Sequence, residues 1–409
     1  MSTDYDAIVI GARCGGSPTA MLLARNGYRV LLVDKATFPS DTMSTHLAHP
    51  PAVDALDRWG ILEALEATNC PPITHYSFNF GPVSVAGTPR PANGGAAKAY
   101  CPRRIILDAL LVEAAAAAGA EVREAFTVEE VVMEDGRVTG IRGHAKGGDS
   151  VTETAKVVIG ADGRHSIVAK AVQPEQYNEV PPLAPAYYAY WSGLPADGFD
   201  TYIRAERGRG WAAIPTHDGL TCVVQGTPQA DFATTKKDVE GTYLEGFELA
   251  PEFAERIKGA TRESGFMGAG DLAGYFRKPY GPGWALVGDA GYHKHPITAF
   301  GITDAFRDAE AVATALDETF SERRSFDDAM ADYQRARDEE AMPIYGFTCD
   351  FAKLEPPPPE MQQLIGAMQG NQDAQDGFVS VMAGTLPAPE FFGPENAGRI
   401  MAAAGAPSA

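Results

Sequence analysis

The 409-residue chain is long for one compact domain, and its 45% hydrophobic and 22% charged residues predict a substantial core rather than a disordered chain. A formal net charge of −20 argues against a nucleic-acid partner, whose phosphates require a basic face, and against docking on anionic lipid. The first apolar run, at 7–10, follows acidic residues and is too short for a signal peptide or a membrane span, and the five cysteines are scattered. We therefore expect a protein of the reducing cytoplasm without membrane insertion.

A strand–turn–helix–strand unit opens the chain. The apolar run at 7–10 predicts a strand buried on both faces, and the glycine-rich turn at 11–16 leads into a helix that ends near Gly27. Residues 29–34 predict a second parallel strand, closed by Asp34. This is the dinucleotide fingerprint, in which helix N–H groups favour a pyrophosphate and the acid accepts hydrogen bonds from ribose hydroxyls. The residues expected to bind the dinucleotide here are Gly11, Ala12, Arg13, Gly15, Gly16, Asp34 and Lys35.

Arg13 departs from the fingerprint because it stands where the second glycine is expected. That glycine normally lets the pyrophosphate approach the backbone. The arginine must therefore either point away or fold over the phosphates as a counter-ion. We favour the second alternative, because a guanidinium beside two phosphates forms charge-assisted hydrogen bonds.

Elements of the same kind recur along the chain. An alanine-rich helix is predicted at 103–118, and Asp-Gly at 135–136 predicts a hairpin. Short buried strands are predicted at 156–160 and 285–288, and apolar spacing predicts a long helix at 298–320. Unpaired N–H groups at the start of that helix, near Pro296, Thr298, Ala299, Phe300 and Gly301, could stabilise negative charge on the bound cofactor.

An aromatic, alternating texture from about 187 to 224 predicts an antiparallel sheet. The two-residue period of a strand puts Tyr188 and Tyr190 on one face, which lines a substrate pocket or simply packs in the core. Four prolines at 356–359 predict a stiff, extended segment before a helical tail.

Three motifs in this order carry a family resemblance. The N-terminal fingerprint, Gly160-Ala161-Asp162-Gly163-Arg164-His165-Ser166, and Leu286-Val287-Gly288-Asp289-Ala290 before a proline and a long helix together resemble the group A flavoprotein monooxygenases. The wider superfamily includes the geranylgeranyl reductases and the flavin-dependent halogenases. The resemblance covers roughly residues 5–345, and it implies FAD as the cofactor.

The resemblance also implies roles for individual residues. Asp289, after Gly288, would bond the FAD ribose, whereas Asp162 and Gly163 would support the flavin side and possibly NAD(P)H. Arg104, at the start of a helix, would lie near flavin and phosphates, and His46 would contact the flavin or its ribityl chain. Only Lys170 stands near the position where the family often has an arginine, which weakens the inference for NADPH.

The predicted fold class is α/β. It combines an FAD-binding, Rossmann-like domain of the glutathione-reductase type with an interleaved antiparallel-sheet substrate domain and a helical C-terminal segment. The predicted FAD domain comprises 1–72, 98–172 and 275–345, and the substrate domain comprises 73–97 and 173–274. The C-terminal segment is 346–409.

The candidate catalytic residues are two histidines and two aromatic residues. His293 and His295 could act as a general base or polar contact near substrate, or could be structural. No third ligand stands at a telling spacing, so we predict no metal site. Tyr190 and Trp211 are expected to shield the flavin. The segment Trp211–Pro215 resembles the tryptophan–isoleucine–proline segment of halogenases, but Ala213 replaces its second tryptophan, which argues against halogenation.

The leading functional hypothesis is an FAD-dependent monooxygenase that uses a flavin hydroperoxide to oxygenate a small organic, possibly aromatic, substrate. The alternative is a reductase or dehydrogenase of the geranylgeranyl reductase type, followed by a halogenase or a non-catalytic flavin-binding protein. No second glycine fingerprint follows a strand, so the flavin is expected to be reduced by transient NAD(P)H docking or by a separate flavin reductase.

Overall fold

The computed structural model describes residues 3–92, 94–95 and 97–404. The strands are β1 (Tyr5–Ile10), β2 (Val30–Val33), β3 (Pro72–Ile73), β4 (Tyr76–Asn79), β5 (Ser84–Gly87), β6 (Ala99–Tyr100), β7 (Glu121–Arg123), β8 (Phe126–Glu134), β9 (Arg137–Ala145), β10 (Val151–Gly160), β11 (Gln176–Val180), β12 (Ala186–Ser192), β13 (Phe199–Arg204), β14 (Arg209–Pro215), β15 (Thr221–Gly226), β16 (Thr261–Arg262), β17 (Met267–Ala269), β18 (Gly274–Arg277), β19 (Tyr280–Gly281), β20 (Trp284–Leu286) and β21 (Tyr292–His293). The helices are α1 (Gly16–Arg25), α2 (Pro50–Arg58), α3 (Leu62–Glu66), α4 (Arg104–Ala117), α5 (Ile167–Val172), α6 (Phe232–Thr235), α7 (Val239–Phe247), α8 (Pro251–Lys258), α9 (Gly301–Phe320), α10 (Phe326–Ala352), α11 (Pro359–Ala367), α12 (Gln372–Met382), α13 (Ala388–Phe392) and α14 (Pro394–Ala404).

A largely parallel sheet forms the first half of the architecture. Its strands run in the order β19-β20-β10-β1-β2-β7, and the hairpin β8–β9 extends from β10. Ile8 pairs with Val158 on one side and with Leu31 on the other, so the apolar run of β1 lies at the centre. Helices α1, α4 and α9 pack against one another beside the sheet. The predicted Rossmann-like α/β fold is confirmed.

A second, mainly antiparallel sheet has the order β16-β12-β15-β14-β13-β4-β5, with β17 pairing to β12. Helices α7 and α8 supply the aromatic residues that pack on one face. Apolar residues of α11, α12 and α13 pack on the opposite face. Strands from 73–97 and from 173–274 therefore share one sheet, as the interleaved arrangement requires.

The C-terminal region is helical, as predicted, but the predicted boundary after residue 345 falls inside α10, which runs unbroken from Phe326 to Ala352. The proline run after it is not wholly extended, because Pro359 is the first residue of α11, where its missing N–H removes no intrahelical bond. Residues 1–2, 93, 96 and 405–409 of the predicted ranges lie outside the described residues. No helix of the described part is long and apolar enough to span a membrane.

Candidate functional site

A groove of about 690 Å³ runs between the two sheets, along the carboxyl ends of the parallel strands. This volume lies within the range of small-molecule and cofactor sites, and the carboxyl edge of a parallel sheet is where such folds bind ligands. The groove wall comes from the β1–α1 turn, the end of β2, 42–45, 126–128, 161–165, 287–289, 293–296 and the start of α9.

The glycine turn approaches its neighbours too closely for larger residues. Gly11 has φ +100°, and a Cβ there would lie 2.6 Å from the Ala161 carbonyl oxygen. A Cβ at Gly16 would lie 1.8 Å from the Gly11 carbonyl oxygen. The predicted acid holds this turn, because Asp34 accepts a hydrogen bond from the Ala12 N–H at 2.7 Å. Helix α1 therefore directs its unpaired N–H groups at the groove.

Arg13 lies in the groove wall, and three neighbouring residues hold its guanidinium in place. Nη1 forms an ion pair with Asp108 at 2.5 Å, and Nη2 donates to the Ser40 hydroxyl at 3.0 Å. The Phe38 ring lies 5.3 Å from the guanidinium carbon. Arg104 also binds Asp108, its Nε donating at 2.9 Å. The two guanidiniums therefore share one buried carboxylate, and Arg13 is held at the groove rather than released to solvent.

Asp162 and Asp289 reach the groove from the ends of β10 and β20, together with Gly163 and Gly288, and Lys35 lines the groove after β2. Asp162 Oδ2 accepts from the Ile167 N–H at 2.6 Å, whereas its buried Oδ1 has no hydrogen-bonding partner among the described residues. Burial raises the pKa of the Asp162 carboxyl. A hydrogen-bond donor on a bound ligand would satisfy Oδ1. Asp289 is half-buried, and its backbone carbonyl accepts a hydrogen bond from the Tyr275 hydroxyl at 2.7 Å.

The segment before α9 meets the groove only in part. Pro296 and Gly301 belong to the wall, but the side chains of Thr298 and Phe300 turn into the interior. Thr298 binds the Thr348 hydroxyl at 2.9 Å, and Phe300 stacks on His49 with ring centroids 4.4 Å apart. The side chains of Thr298 and Phe300 therefore serve the core, and the predicted contact of the backbone N–H groups in this segment with the cofactor stays a prediction.

A second cavity adjoins the groove. This chamber, about 50 Å³, lies between the face of β12–β15, the turn at 295–299, and Phe351 and Leu354 at the end of α10. It shares one wall with the groove. The residues lining both are Thr45, Ala186, Val224, His295 and Pro296.

Tyr188, rather than Tyr190, faces the groove. Tyr188 and Tyr190 pack in the same apolar cluster, as the two-residue period predicts. Tyr190, however, lies behind Tyr188, and its hydroxyl forms a hydrogen bond with His46. His46 is fully buried, has φ +62°, and is not part of the groove wall, where 42–45 stand instead. Burial lowers its pKa to about 3, so the imidazole is neutral.

Trp211 packs in the cluster on the opposite face of the sheet from Tyr188, although it also lies along the chamber, so its predicted role in shielding the flavin stays a prediction. Its ring stacks on Tyr202 at 5.2 Å and contacts Phe247 and Phe253 from α7 and α8. The cause is register, because Tyr188 pairs with Val224 and Val224 with Ala212.

The two predicted histidines after Asp289 both line the groove. His295 Nδ1 accepts from the Ile297 N–H at 3.2 Å while Nε2 lies 2.9 Å from the Ala184 carbonyl, so backbone groups occupy both ring nitrogens. Burial lowers its pKa to about 4. His293 Nδ1 lies 2.6 Å from the Ala273 carbonyl, and burial likewise lowers its pKa. These contacts position His295 and leave His293 the better candidate for a polar contact with a ligand.

A buried charge cluster at the start of α9 was not foreseen from sequence. Lys294, in the groove wall, forms an ion pair with Asp304, which Arg307 also binds at 3.1 Å. Arg307 further binds Asp308 at 2.8 Å. The sequence around Lys294 does not predict this ion pair, because its partner Asp304 lies ten residues further along the chain. Within the described ranges, no three carboxylate, thiol or imidazole side chains are grouped to hold a metal ion.

Comparison with known proteins adds family evidence. A family model described as an FAD binding domain matches residues 4–348. The digeranylgeranylglycerophospholipid reductase of Methanocella arvoryzae is 28% identical over 318 residues, which is 75% of each protein. The tryptophan 2-halogenase of Chondromyces crocatus is 26% identical over 417 residues, covering 96% of this chain and 77% of that protein. The solved myxobacterial chondrochloren halogenase, an FAD-dependent halogenase, superposes with a TM-score of 0.79 at 23% identity over 98% of this chain and 96% of its own.

Proposed function

The chain belongs to the FAD binding domain family and is an FAD-dependent oxidoreductase, and from this premise we propose that it is a monooxygenase acting on a small organic molecule. The overall reaction would consume O₂ and two electrons, transfer one oxygen atom to the substrate and release the other as water. Bound, reduced FAD would supply the reactivity toward O₂, and the protein would supply position and exclusion of water.

The residues of the groove fit FAD. A Cβ at Gly11 or Gly16 would fill the turn over which a pyrophosphate would lie. The unpartnered Oδ1 of Asp162 offers a buried acceptor to a ligand N–H or O–H. Asp34 and Asp289 would take the ribose-type hydroxyls, and Arg13 and Arg104 would neutralise the phosphates. The start of α9 and the Lys294 ammonium would place positive charge beside the flavin.

The position of the chamber beside the groove is the observation that supports oxygenation as the reaction. A reactive oxygen species must meet its substrate without meeting bulk water. The chamber shares a wall with the groove, and its other lining residues are buried or half-buried and largely apolar. At about 50 Å³ it suits a small molecule better than a long isoprenoid chain, which supports oxygenation over reduction of the geranylgeranyl type.

Isotope labelling tests the proposal. Holoenzyme reduced anaerobically with dithionite would be mixed with ¹⁸O₂ and phenol, and hydroxylated product carrying one ¹⁸O atom is expected. Parallel samples would contain chloride or bromide, or a geranylgeranyl lipid without O₂. A halogenated product that requires halide would favour a halogenase, anaerobic saturation of the lipid would favour a reductase, and no turnover in any sample would favour a non-catalytic flavin protein.

The division into an FAD domain and a substrate domain at the predicted residues also stands as a proposal, supported by the two sheets. The source of electrons is proposed to be NAD(P)H docking transiently or a separate flavin reductase. A cytoplasmic location is supported by the five cysteines, all of which are free thiols.

A further inference from the structure

The backbone before α9 adopts a conformation that few residues other than glycine tolerate. Ala299 has φ +57° and is 4% exposed, and it follows the single helical turn Pro296–Thr298. Pro296 and Gly301, on either side of it, line the groove. A non-glycine residue keeps such a conformation only where its surroundings fix it, and these conformations cluster at ligand sites. The contacts that fix this turn therefore bear on how the groove holds its ligand.

His49 fixes the turn from the side of the antiparallel sheet. Its Nε2 lies 3.1 Å from the Thr298 carbonyl oxygen, which can only accept, so Nε2 carries the ring proton and donates the hydrogen bond. Nδ1 then accepts from the Tyr76 hydroxyl of β4 at 3.1 Å. The imidazole also stacks on Phe300, with ring centroids 4.4 Å apart. One fully buried side chain thus connects the sheet to the residues on both sides of Ala299.

Further contacts leave the turn little freedom. The Lys294 ammonium lies 5.1 Å from the centre of the Phe300 ring. A Cβ at Gly384 would lie 2.8 Å from Phe300 Cε1, so the chain after α12 leaves room for the ring because this residue is glycine. The hydroxyl of Thr348 on α10 lies 2.9 Å from the Thr298 hydroxyl. The residues before α9 are therefore held from several parts of the fold at once.

We infer that His49 is a positioning residue for the cofactor: by fixing Thr298 and Phe300, it aligns the unpaired N–H groups at the start of α9 so that they stabilise negative charge on the bound flavin. These N–H groups form the positive end of the helix dipole, and their effect on an anion depends on alignment that is fixed in advance. His49 does not itself line the groove, so it acts through the turn. The inference rests on the predicted approach of these N–H groups to the cofactor. It goes beyond the proposed function, because it holds whichever reaction the flavin performs.

Two properties of the holoenzyme test the inference without O₂ or substrate. The first is the reduction potential of the bound flavin, measured against a reference dye. The second is the dissociation constant of sulfite, which bleaches the absorbance of oxidised flavin by adding to it as an anion. His49→Leu should make the potential more negative and weaken sulfite binding about 2- to 30-fold, the range for a helix terminus acting on a partly buried charge. His49→Gln should restore most of both values, because its side-chain N–H can donate to the Thr298 carbonyl.

His217→Leu is the matched control, since this histidine is also buried and does not line the groove, and it should keep both wild-type values. Thr348→Val preserves the shape of the side chain and removes the hydroxyl that contacts Thr298. It should shift both values in the same direction as His49→Leu but by less, and it decides the question if His49→Leu does not retain FAD.

Wild-type values in His49→Leu, or in Thr348→Val where only that variant retains FAD, would overturn the inference. An equal loss in His49→Leu and His49→Gln would also overturn it, because the hydrogen bond to Thr298 would then have no part in the effect. The absence of ¹⁸O from every product would refute the oxygenase proposal and leave this inference standing. Unchanged sulfite affinity and potential would refute this inference and leave the oxygenase proposal standing.

Discussion

The Tyr190 hydroxyl lies 2.7 Å from Nε2 of His46, in a hydrogen bond buried behind the groove. The two rings are also stacked, with centroids 5.8 Å apart. The other ring nitrogen of His46 is buried and has no partner among the described residues. Tyr190 therefore provides the hydrogen bond that holds a histidine whose backbone already has φ +62°.

Tyr190→Phe should lower the free energy of unfolding by about 1–3 kcal/mol, because it leaves both His46 ring nitrogens unpaired. FAD content should not change, since Tyr190 does not line the groove. Urea denaturation and the flavin-to-protein absorbance ratio measure the two quantities. Tyr187→Phe, on the other face of β12 and only partly buried, is the matched control. Loss of FAD without loss of stability would contradict this role.

Stability should fall with acid well before the carboxylates titrate. Burial lowers the pKa of His46 to about 3 and those of His49 and His295 to about 4, from 6.5. Below about pH 6.5 the unfolded chain binds protons that the native protein excludes, so stability is full above that pH. It then declines toward pH 4 by up to about 1.4 kcal/mol per pH unit for each histidine.

His49→Gln should make the free energy of unfolding less dependent on pH, because the variant lacks one of the buried histidines that take up a proton on unfolding. His49 contacts Tyr76 at 3.1 Å and the Thr298 carbonyl at 3.1 Å, and Lys294 and Asp304 act on it electrostatically. Urea denaturation from pH 5.0 to 7.5 with saturating FAD measures the slope. A wild-type stability that is flat from pH 6.5 to 5 would refute the prediction.

Arg13→Ala should weaken FAD binding about 5- to 100-fold, in the range of charge-assisted hydrogen bonds, and more strongly at low salt. The ion pair with Asp108 fixes the guanidinium in the groove wall, where phosphates would lie. Arg104 would still neutralise Asp108 in the variant, so folding should persist. Fluorescence titration of apoprotein with FAD is the measurement, and Arg25→Ala, at the far end of α1, is the control. Unchanged affinity would show that Arg13 only braces Asp108.

Local patterns predicted the cofactor half of the site, whereas long-range register decided the rest. The turn at Gly11 and the acid at Asp34 are set by residues close in sequence, and the structure brings them together as expected. The face of Tyr188 followed from strand period alone. Trp211 could not be placed that way, since its face depends on the pairing of Ala212 with Val224 across two strands. The Lys294–Asp304 pair and the contact of His49 with the Thr298 carbonyl likewise arise only from tertiary packing.

Asp289→Ala should lose most of its FAD, because this half-buried carboxylate in the groove wall is the one proposed to bind the ribityl or ribose hydroxyls. A hydrogen bond to a charged group contributes about 1.5–3 kcal/mol. The flavin released from purified protein after denaturation should be FAD, which chromatography identifies. Asp149→Ala, on an exposed turn, should retain the wild-type content. Retention of FAD by Asp289→Ala, or release of FMN from the wild type, would contradict the assignment.

Tyr188 is expected to limit the release of hydrogen peroxide from the flavin site. Its buried ring faces the groove, and its hydroxyl contacts Met267 Sδ at 3.3 Å, so the ring separates the groove from the interior of the sheet region. Removing the ring would admit water, and water diverts the oxygen chemistry to hydrogen peroxide. Tyr188→Ala should therefore keep its FAD but release hydrogen peroxide several-fold faster than the wild type.

The measurement mixes anaerobically reduced holoenzyme with oxygenated buffer and phenol. Flavin reoxidation is followed by stopped-flow absorbance, and peroxide by a coupled peroxidase assay. Tyr188→Phe is the matched variant, because it keeps the ring and loses only the hydroxyl that contacts Met267, and it should behave as the wild type does. Tyr190→Ala should release less peroxide than Tyr188→Ala, since Tyr188 lines the groove and Tyr190 does not. Equal peroxide release from the wild type and Tyr188→Ala would show that a group other than Tyr188 shields the flavin.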